Sequence, residues 1–389
     1  MSGDRIPHTK PTIAEEALLL EPGAERNLYV HVPFCATKCR YCAFYSRTRT
    51  GADLLQAYPG LVARELTLRG IGADWRPQTI YVGGGTPSLL GPSGLSALFA
   101  ALPRAADGAE ITVELNPGDV TPELATALRS CGVTRASLGV QSFDEGVLRW
   151  LGRRHGAAEI YKAHAALRAA GIPQISFDFI VGEPGFPREV LERSLSVAIE
   201  LSPEHLSVYP LSIEPGTKLA QAGVKPLDDE RLLECVSRAE TLLAGAGYLR
   251  YELSNYAKDG AFFCRHNLAV WRGRDYIGIG PAACSREGFG RRDNGANLEA
   301  WRDSVLRGEL PPAELTRYTQ EEDESERFAT RIRLAAWTLE SVNAEKRAQR
   351  ENALAILRKT GIVEAVSPRA WRLTPRGREV ADAVMAELA

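Results

Sequence analysis

Six short stretches rich in β-branched and apolar residues alternate with helical stretches between Leu28 and Ala244, and this alternation constrains the fold more than any other feature. The strands are predicted over Leu28–Val32, Thr79–Val82, Ile111–Leu115, Arg135–Val140, Gln174–Val181 and His205–Tyr209. The helices are predicted over Leu54–Arg69, Gly94–Ala101, Pro122–Ser130, Ala157–Ala170, Glu189–Leu201 and Asp229–Ala244. Such alternation is typical of a parallel sheet covered by helices. Because a complete barrel has eight units, six units predict an α/β fold with a partial (β/α)6 TIM-like barrel.

The chain is predicted to have three parts. Residues 1–26 mix acids, bases and prolines and form a polar leader that lacks the apolar core of a signal peptide. Residues 27–285 form the barrel. Residues 286–389 form a small, mainly helical, winged-helix-like domain, with helices over Asn352–Thr360 and Pro375–Leu388 and a β-like stretch at Trp371–Leu373. The link is predicted around Ser285–Asn297, which is rich in Gly, Arg and Asn.

Composition excludes several classes of protein. The 47 Lys and Arg residues nearly balance 49 Asp and Glu residues, so charge gives no indication of nucleic-acid binding. No run approaches the ~20 apolar residues that a transmembrane helix needs. The seven cysteines of this 389-residue chain are too few for a disulfide scaffold, so we expect a reducing compartment and a cytoplasmic protein.

Distinctive polar residues lie at or just after the carboxyl ends of the predicted strands. In strand order they are the Cys35–Cys42 cluster, Gly83–Thr86, Glu114, Gln141, Asp178 and Tyr209. The carboxyl ends of the strands are where barrel enzymes build their active sites. The sequence therefore predicts one functional site at this rim.

Three cysteines are spaced as C-x3-C-x2-C on the loop after the first strand, at Cys35, Cys39 and Cys42. Thiolates are soft ligands that suit iron–sulfur clusters, zinc or copper(I). A structural zinc site usually has four ligands, so a zinc reading needs a fourth, such as His31. A [4Fe–4S] cluster held by three thiolates keeps one iron free for another ligand. We expect the cluster, with zinc as the alternative.

This spacing resembles the signature of radical S-adenosylmethionine (SAM) proteins. The wider phrase YVHVPFC, which ends at Cys35, is similar to the family of oxygen-independent coproporphyrinogen III oxidases and their relatives. The resemblance extends over about residues 27–388. It implies a radical SAM barrel in which SAM chelates the open iron and is cleaved to a 5′-deoxyadenosyl radical by an electron from the cluster.

The same resemblance assigns residues to SAM. It implies that Gly84, Gly85 and Thr86 of the GGGTPS phrase hold the methionine part, and that Glu114 binds the ribose. Tyr29, which opens the phrase YVHVPFC, is assigned to the same site. Taken alone, three glycines also suit a tight turn, and Glu114 also suits a salt bridge or a helix cap.

A second SAM site is implied by three further matches. In the oxidases, the positions of Gln141, Arg153 and Asp178 contact a second SAM molecule. This chain departs from its relatives at Glu183 and at Phe186-Pro187, where they usually read G-L-P-G-Q-T. Each residue alone also suits a structural role, so we expect this trio to line either substrate or second-SAM space.

Haem is the third cofactor implied by the resemblance. His266 in HNLAVW is the candidate axial ligand, because neutral imidazole suits haem iron. Relatives commonly carry a tyrosine where Val270 stands. A structural role is the alternative for His266.

The family branch is indicated by Phe44, which stands where true oxidases carry a fourth cysteine. This form resembles the haem chaperone (HemW-type) branch and implies a haem or porphyrin-type ligand, a haem-accepting apoprotein and an electron donor such as flavodoxin or ferredoxin. Two alternatives stay open. One is the oxidative decarboxylation of coproporphyrinogen III propionates, and the other is a two-SAM radical methyltransferase or cyclopropanase. Whether the protein is an enzyme is therefore left open by the sequence.

Overall fold

A computed structural model describes residues 26–339 and 343–389, so all but the last residue of the predicted leader lies outside the described residues. The strands are β1 (Asn27–Val32), β2 (Thr79–Gly84), β3 (Glu110–Leu115), β4 (Arg135–Gln141), β5 (Gln174–Val181), β6 (His205–Pro210), β7 (Leu249–Arg250), β8 (Asn255–Ala257), β9 (Ile277–Ile279), β10 (Cys284–Glu287), β11 (Gly290–Asn294), β12 (Ala313–Arg317), β13 (Trp337–Thr338), β14 (Val363–Ala365) and β15 (Ala370–Leu373). The helices are α1 (Ala52–Leu68), α2 (Gly91–Ala101), α3 (Pro122–Ser130), α4 (Glu145–Leu151), α5 (Ala157–Ala169), α6 (Arg188–Leu201), α7 (Lys218–Gln221), α8 (Asp229–Gly245), α9 (Arg265–Trp271), α10 (Leu298–Leu306), α11 (Gln320–Arg331), α12 (Ala344–Lys359), α13 (Pro375–Glu379) and α14 (Ala381–Leu388).

The predicted partial barrel is confirmed. Strands β1 to β6 pair in chain order, each parallel to the next, within a nine-stranded sheet of order β7-β8-β6-β5-β4-β3-β2-β1-β9. Apolar residues on the helix-facing side of the strands, such as Val82, Val113 and Leu138, are fully buried. Because neighbouring residues on a strand point to opposite faces, the alternate positions are left to face the interior of the barrel.

Three short strands, β7, β8 and β9, extend the sheet beyond the predicted units, and a further helix packs at one end of it. Strand β9 runs parallel to β1 at one edge, and β8 runs antiparallel to β6 near the other. Helix α9 lies at the amino-terminal end of the strands, where the backbone N–H of His266 is 3.1 Å from the Glu110 carboxylate at the start of β3. These elements are too short for a strong periodic pattern, which is why the sequence did not reveal them.

The predicted link at Ser285–Asn297 is wrong, because this segment is a β-hairpin. Strands β10 and β11 pair antiparallel across a turn at Gly288, and β11 pairs with β12. Of the Gly and Arg residues that suggested a linker, Gly288 supplies the turn, Arg291 is exposed and Arg286 is buried. The predicted boundary at residue 285 falls inside β10, and beyond it Trp301 of α10 is 1% exposed in the barrel core.

The C-terminal part has a separate core of helices and a small sheet. Helices α11, α12 and α14 pack around Phe328, Leu354 and Val384, next to a three-stranded sheet of order β13-β15-β14. This arrangement agrees with the predicted winged-helix-like character. Within the described residues, no helix is both long and apolar enough to cross a bilayer.

Candidate functional site

One cavity of about 530 Å³ opens at the carboxyl ends of the parallel strands and extends down into the barrel. Ten of the predicted site residues line it: Cys35, Cys39, Cys42, Gly84, Gly85, Thr86, Glu114, Gln141, Arg153 and Asp178. The structure thus brings together residues that lie far apart in sequence. Tyr29 and His266 do not line the cavity.

The cysteine loop is closed at its base by backbone hydrogen bonds. The N–H of Cys35 lies 2.9 Å from the carbonyl of Arg47, and the N–H of Arg47 lies 2.6 Å from the carbonyl of Pro33. Lys38 reaches across the loop, with Nζ 3.0 Å from the carbonyl of Phe44. These contacts hold the three cysteines over the cavity in a defined loop, and all three are free thiols.

Two neighbouring side chains contact the cysteine sulfurs directly. Arg153 Nη1 lies 3.4 Å from Cys39 Sγ, and Thr86 Oγ1 lies 3.5 Å from Cys35 Sγ. Both groups are hydrogen-bond donors, and hydrogen bonds to sulfur are one of the features by which a protein tunes an iron–sulfur cluster. Burial raises the pKa of the Cys42 thiol.

The donors around the cavity are not arranged as a site for a single metal ion in the described part of the chain. Within residues 26–339 and 343–389, no three His, Cys, Asp or Glu side chains converge tightly enough to hold one metal ion. The ring nitrogens of His31, the fourth ligand of the zinc alternative, already lie 3.0 Å from Tyr29 Oη and from the carbonyl of Tyr45. In a four-iron cluster each thiolate binds a different iron, so the thiolates do not have to meet at one point.

The turn at the end of β2 needs glycine because neighbouring residues pack closely against it. Its backbone also lines the cavity. Gly84 has φ +105°, a region that residues with a side chain rarely adopt, and a Cβ atom there would lie 2.6 Å from the His31 ring. The N–H of Thr86 lies 2.7 Å from the carbonyl of Phe34, which joins the turn to the segment before Cys35. The turn is therefore held in place beside the cysteine loop.

Glu114 is held by two donors at the wall of the cavity. Its Oε1 lies 2.8 Å from Tyr81 Oη, and its Oε2 lies 2.9 Å from the Gly84 N–H. Burial raises the pKa of Glu114, and the two hydrogen bonds oppose that rise. A carboxylate fixed in this way is oriented to accept hydrogen bonds from a ligand.

Asp178 and Gln141 lie on adjacent strands across the barrel. Asp178 Oδ2 lies 2.8 Å from Ser137 Oγ, and burial raises the pKa of this carboxyl. Gln141 has a positive φ of 66° at a point where the pairing of β4 and β5 shifts register. Such a backbone is costly for a residue with a side chain and is common at functional sites.

Tyr29, which is partly buried, and His266, which is buried, belong to an aromatic group beside β1 and β2. The Tyr29 ring lies 6.1 Å from Tyr81 and 6.5 Å from His266 between centroids. His266 Nδ1 lies 2.8 Å from Thr79 Oγ1, and burial lowers the pKa of His266 to about 4. His266 is 5% exposed, so the geometry fits the structural alternative better than a ligand in the cavity.

Sequence reasoning missed the residues at the floor of the cavity. Arg135 at the start of β4, Thr112 on β3 and Asn267 on α9 also line it. Side chains alternate between the two faces of β3, so Thr112 points to the same face as Glu114. This alternation could have identified Thr112 from the sequence. Asn267 depends on the position of α9, which no local pattern reveals.

Several known proteins resemble this chain in sequence. Residues 29–198 match the family model of the radical SAM superfamily. The chain is 41% identical over 268 residues to the heme chaperone HemW of Escherichia coli strain K12, covering 68% of this chain and 70% of that protein. It is 34% identical over 378 residues to the heme chaperone HemW of Mycobacterium tuberculosis strain H37Rv, covering 94% and 95%.

A solved structure shares the whole architecture. Coproporphyrinogen III oxidase HemN from Escherichia coli, a radical SAM enzyme, superposes with a TM-score of 0.80 over 96% of this chain and 92% of its own. The two sequences are 23% identical, so the likeness shows the fold. It includes the C-terminal part as well as the barrel.

Proposed function

Because this chain belongs to the radical SAM superfamily and, within it, to the family of HemW haem chaperones, we propose that it binds haem and delivers it to haem-requiring proteins. Membership of the superfamily implies a [4Fe–4S] cluster and SAM. The observation that carries the proposal is that the three cysteines, the glycine turn and Glu114 line the same cavity.

The cluster is proposed on Cys35, Cys39 and Cys42. When bound, it supplies an iron with an open coordination position and an electron for a ligand on that iron. Lys38 and Arg40 flank the loop, and the Arg153 guanidinium lies beside Cys39 Sγ. These cations offset the negative charge that three thiolates bring to the cluster.

SAM is proposed to bind between the glycine turn and Glu114. Gly84, Gly85 and Thr86 offer backbone next to the cysteine loop, and Glu114 offers a carboxylate to ribose hydroxyls. Tyr29 is proposed to support this site indirectly. It hydrogen-bonds His31 at 3.0 Å, and the His31 ring packs against Gly84. We propose Gln141, Arg153 and Asp178 for a second SAM or for part of the porphyrin ligand.

The chaperone is favoured over the oxidase by Phe44. This residue stands where the oxidases carry a fourth cysteine, and it is 69% exposed at the mouth of the cavity. An exposed aromatic ring beside a cavity suits contact with a flat apolar ligand.

Delivery of haem requires a haem-accepting apoprotein, and reduction of the cluster requires an electron donor such as flavodoxin or ferredoxin. Because free thiolates and such a cluster persist under reducing conditions, we propose the cytoplasm as the place of action.

Oxidation of coproporphyrinogen III is the second candidate. It is supported by Gln141, Arg153 and Asp178, which line the same cavity. In that case a propionate of the substrate would lie where these polar groups meet.

One experiment separates the two candidates. The protein is reconstituted anaerobically with iron and sulfide, titrated with haem, and then assayed with coproporphyrinogen III, SAM and a reductant. We expect saturable haem binding and no protoporphyrinogen IX. Formation of protoporphyrinogen IX would establish the oxidase, and the absence of saturable haem binding would refute the chaperone.

A further inference from the structure

The floor of the cavity carries two polar groups without partners. Arg135 begins β4 and pairs in register with Thr112 of β3, and both side chains line the cavity. Arg135 is 1% exposed and Thr112 is fully buried. Across the described part of the chain, neither Arg135 Nη1 nor Thr112 Oγ1 has a hydrogen-bonding partner.

The rest of the Arg135 guanidinium is firmly held. Its Nε lies 3.2 Å from the Glu110 carboxylate, and its Nη2 lies 2.8 Å from the carbonyl of Phe262. These contacts fix the plane of the guanidinium group. Nη1 is the nitrogen of the group that lacks a partner. Buried donors are nearly always hydrogen-bonded, so this edge points to a ligand group that is absent from the protein alone.

Glu110 does not compete for that edge. Its oxygens already accept from Arg135 Nε and from the backbone N–H groups of Arg265 and His266, both at 3.1 Å. Higher in the cavity, Asp178 accepts from Ser137 at 2.8 Å, and Glu114 accepts from Tyr81 and the Gly84 N–H. The floor therefore offers a fixed cation and a hydroxyl, and its acids are engaged elsewhere.

We propose that Arg135 Nη1 and Thr112 Oγ1 form a carboxylate-binding subsite at the floor of the cavity. Guanidinium and hydroxyl groups both donate to the two oxygens of a carboxylate, and such charge-assisted bonds are strong. This inference rests on the proposed function, because the ligand assigned to the subsite is a porphyrin propionate. The amino-acid carboxylate of the second SAM proposed above has the same chemistry and is the other source that the test distinguishes.

Two variants remove the subsite in different ways. Thr112→Val keeps the shape of the side chain and removes the hydroxyl. Arg135→Gln is combined with Glu110→Gln, so that no buried carboxylate is left without its cation. Thr126→Val, on the outer helix α3, is the matched control for the hydroxyl, because Thr126 is exposed and its hydroxyl donates to the Pro122 carbonyl of the same helix. Circular dichroism spectra establish that each variant is folded.

Each protein is titrated with haem, with haem dimethyl ester and with SAM. We expect Thr112→Val and the double variant to weaken haem binding by about tenfold or more, and to leave binding of the ester unchanged. Weakened SAM binding with unchanged haem binding would support the subsite and assign it to SAM. Unchanged binding of all three ligands would overturn the proposal. Ordered water would then be the partner of Arg135 Nη1 and Thr112 Oγ1. If wild-type protein binds no haem, the proposed function fails, and the SAM titration alone then decides the subsite.

Discussion

The guanidinium of Arg153 contacts the sulfur of Cys39, with Nη1 and Sγ 3.4 Å apart. Arg153 Nη2 also lies 2.9 Å from the carbonyl of Gly139 and 3.2 Å from Asn116 Oδ1, so the group is anchored on the strands around the cavity. A cation fixed beside a cluster thiolate stabilises the reduced, more negative cluster.

Replacing Arg153 should therefore make the cluster harder to reduce. We expect Arg153→Gln to lower the reduction potential by on the order of 60 mV, the one-electron equivalent of a tenfold change in the equilibrium. Potentiometric titration followed by electron paramagnetic resonance measures this shift. Arg149→Gln is the control, because Arg149 is exposed on α4 and does not line the cavity. Equal potentials in the Arg153 variant and the wild type would show that the contact does not tune the cluster.

Glu114 should be essential for tight binding of SAM. In Glu114→Gln, an amide –NH2 group replaces one carboxylate oxygen, so the side chain loses its negative charge and can accept from only one of Tyr81 Oη and the Gly84 N–H. We expect the dissociation constant of SAM to rise by about tenfold or more, measured by anaerobic equilibrium dialysis. Tyr81→Phe, which removes one of the two donors, should have a smaller effect. The assignment fails if Glu114→Gln binds SAM as tightly as the wild type does.

His266 should matter for stability and leave haem binding unchanged. His266→Ala removes a buried ring and its contact with Thr79, so we expect the free energy of unfolding to fall by about 2 kcal/mol or more. The haem titration and the visible spectrum of the haem complex should stay the same at a temperature where the variant is folded. Loss of the spectrum with stability retained would instead make His266 the haem ligand.

Ionisation of Glu183 should lower the free energy of unfolding of the protein as pH rises. Burial raises the pKa of Glu183 from 4.5 to about 7, so between these values the folded state holds a proton that the unfolded state has lost. Stability then falls by about 1.4 kcal/mol per pH unit across this window from this group, and the loss is complete above pH 7.

The matching variant isolates that contribution. Glu183→Gln cannot titrate, so the difference in unfolding free energy between variant and wild type should grow in favour of the variant from pH 5 to pH 7. Urea denaturation at several pH values measures it. A difference that stays constant over this range would contradict the raised pKa of Glu183.

Sequence patterns predicted most of the strands and helices of the barrel. Strand Gln174–Val181 and helix Pro122–Ser130 match the structure at both ends, because each is a clear periodic segment with a defined boundary. The rim residues were predictable because the carboxyl ends of parallel strands must meet. The hairpin at Ser285–Asn297 was missed, since its charged, glycine-containing strands resemble a linker.

The lower half of the site could not be predicted from local patterns. Arg135 has no unusual neighbours in sequence, and its role depends on Glu110 and Phe262, which tertiary packing brings beside it. The position of His266 next to Thr79 likewise depends on how α9 packs against β2. Contacts of this kind follow from the assembled barrel.

The central claim is that three cysteines hold an iron–sulfur cluster, and the metal content of the anaerobically purified protein tests it most directly. We expect about four irons and four sulfides per chain, and loss of both in Cys39→Ala. Cys131→Ala, which changes a cysteine on the outside of the barrel near Ser96, should keep the full content. Zinc in place of iron, or undiminished iron and sulfide in Cys39→Ala, would contradict the account.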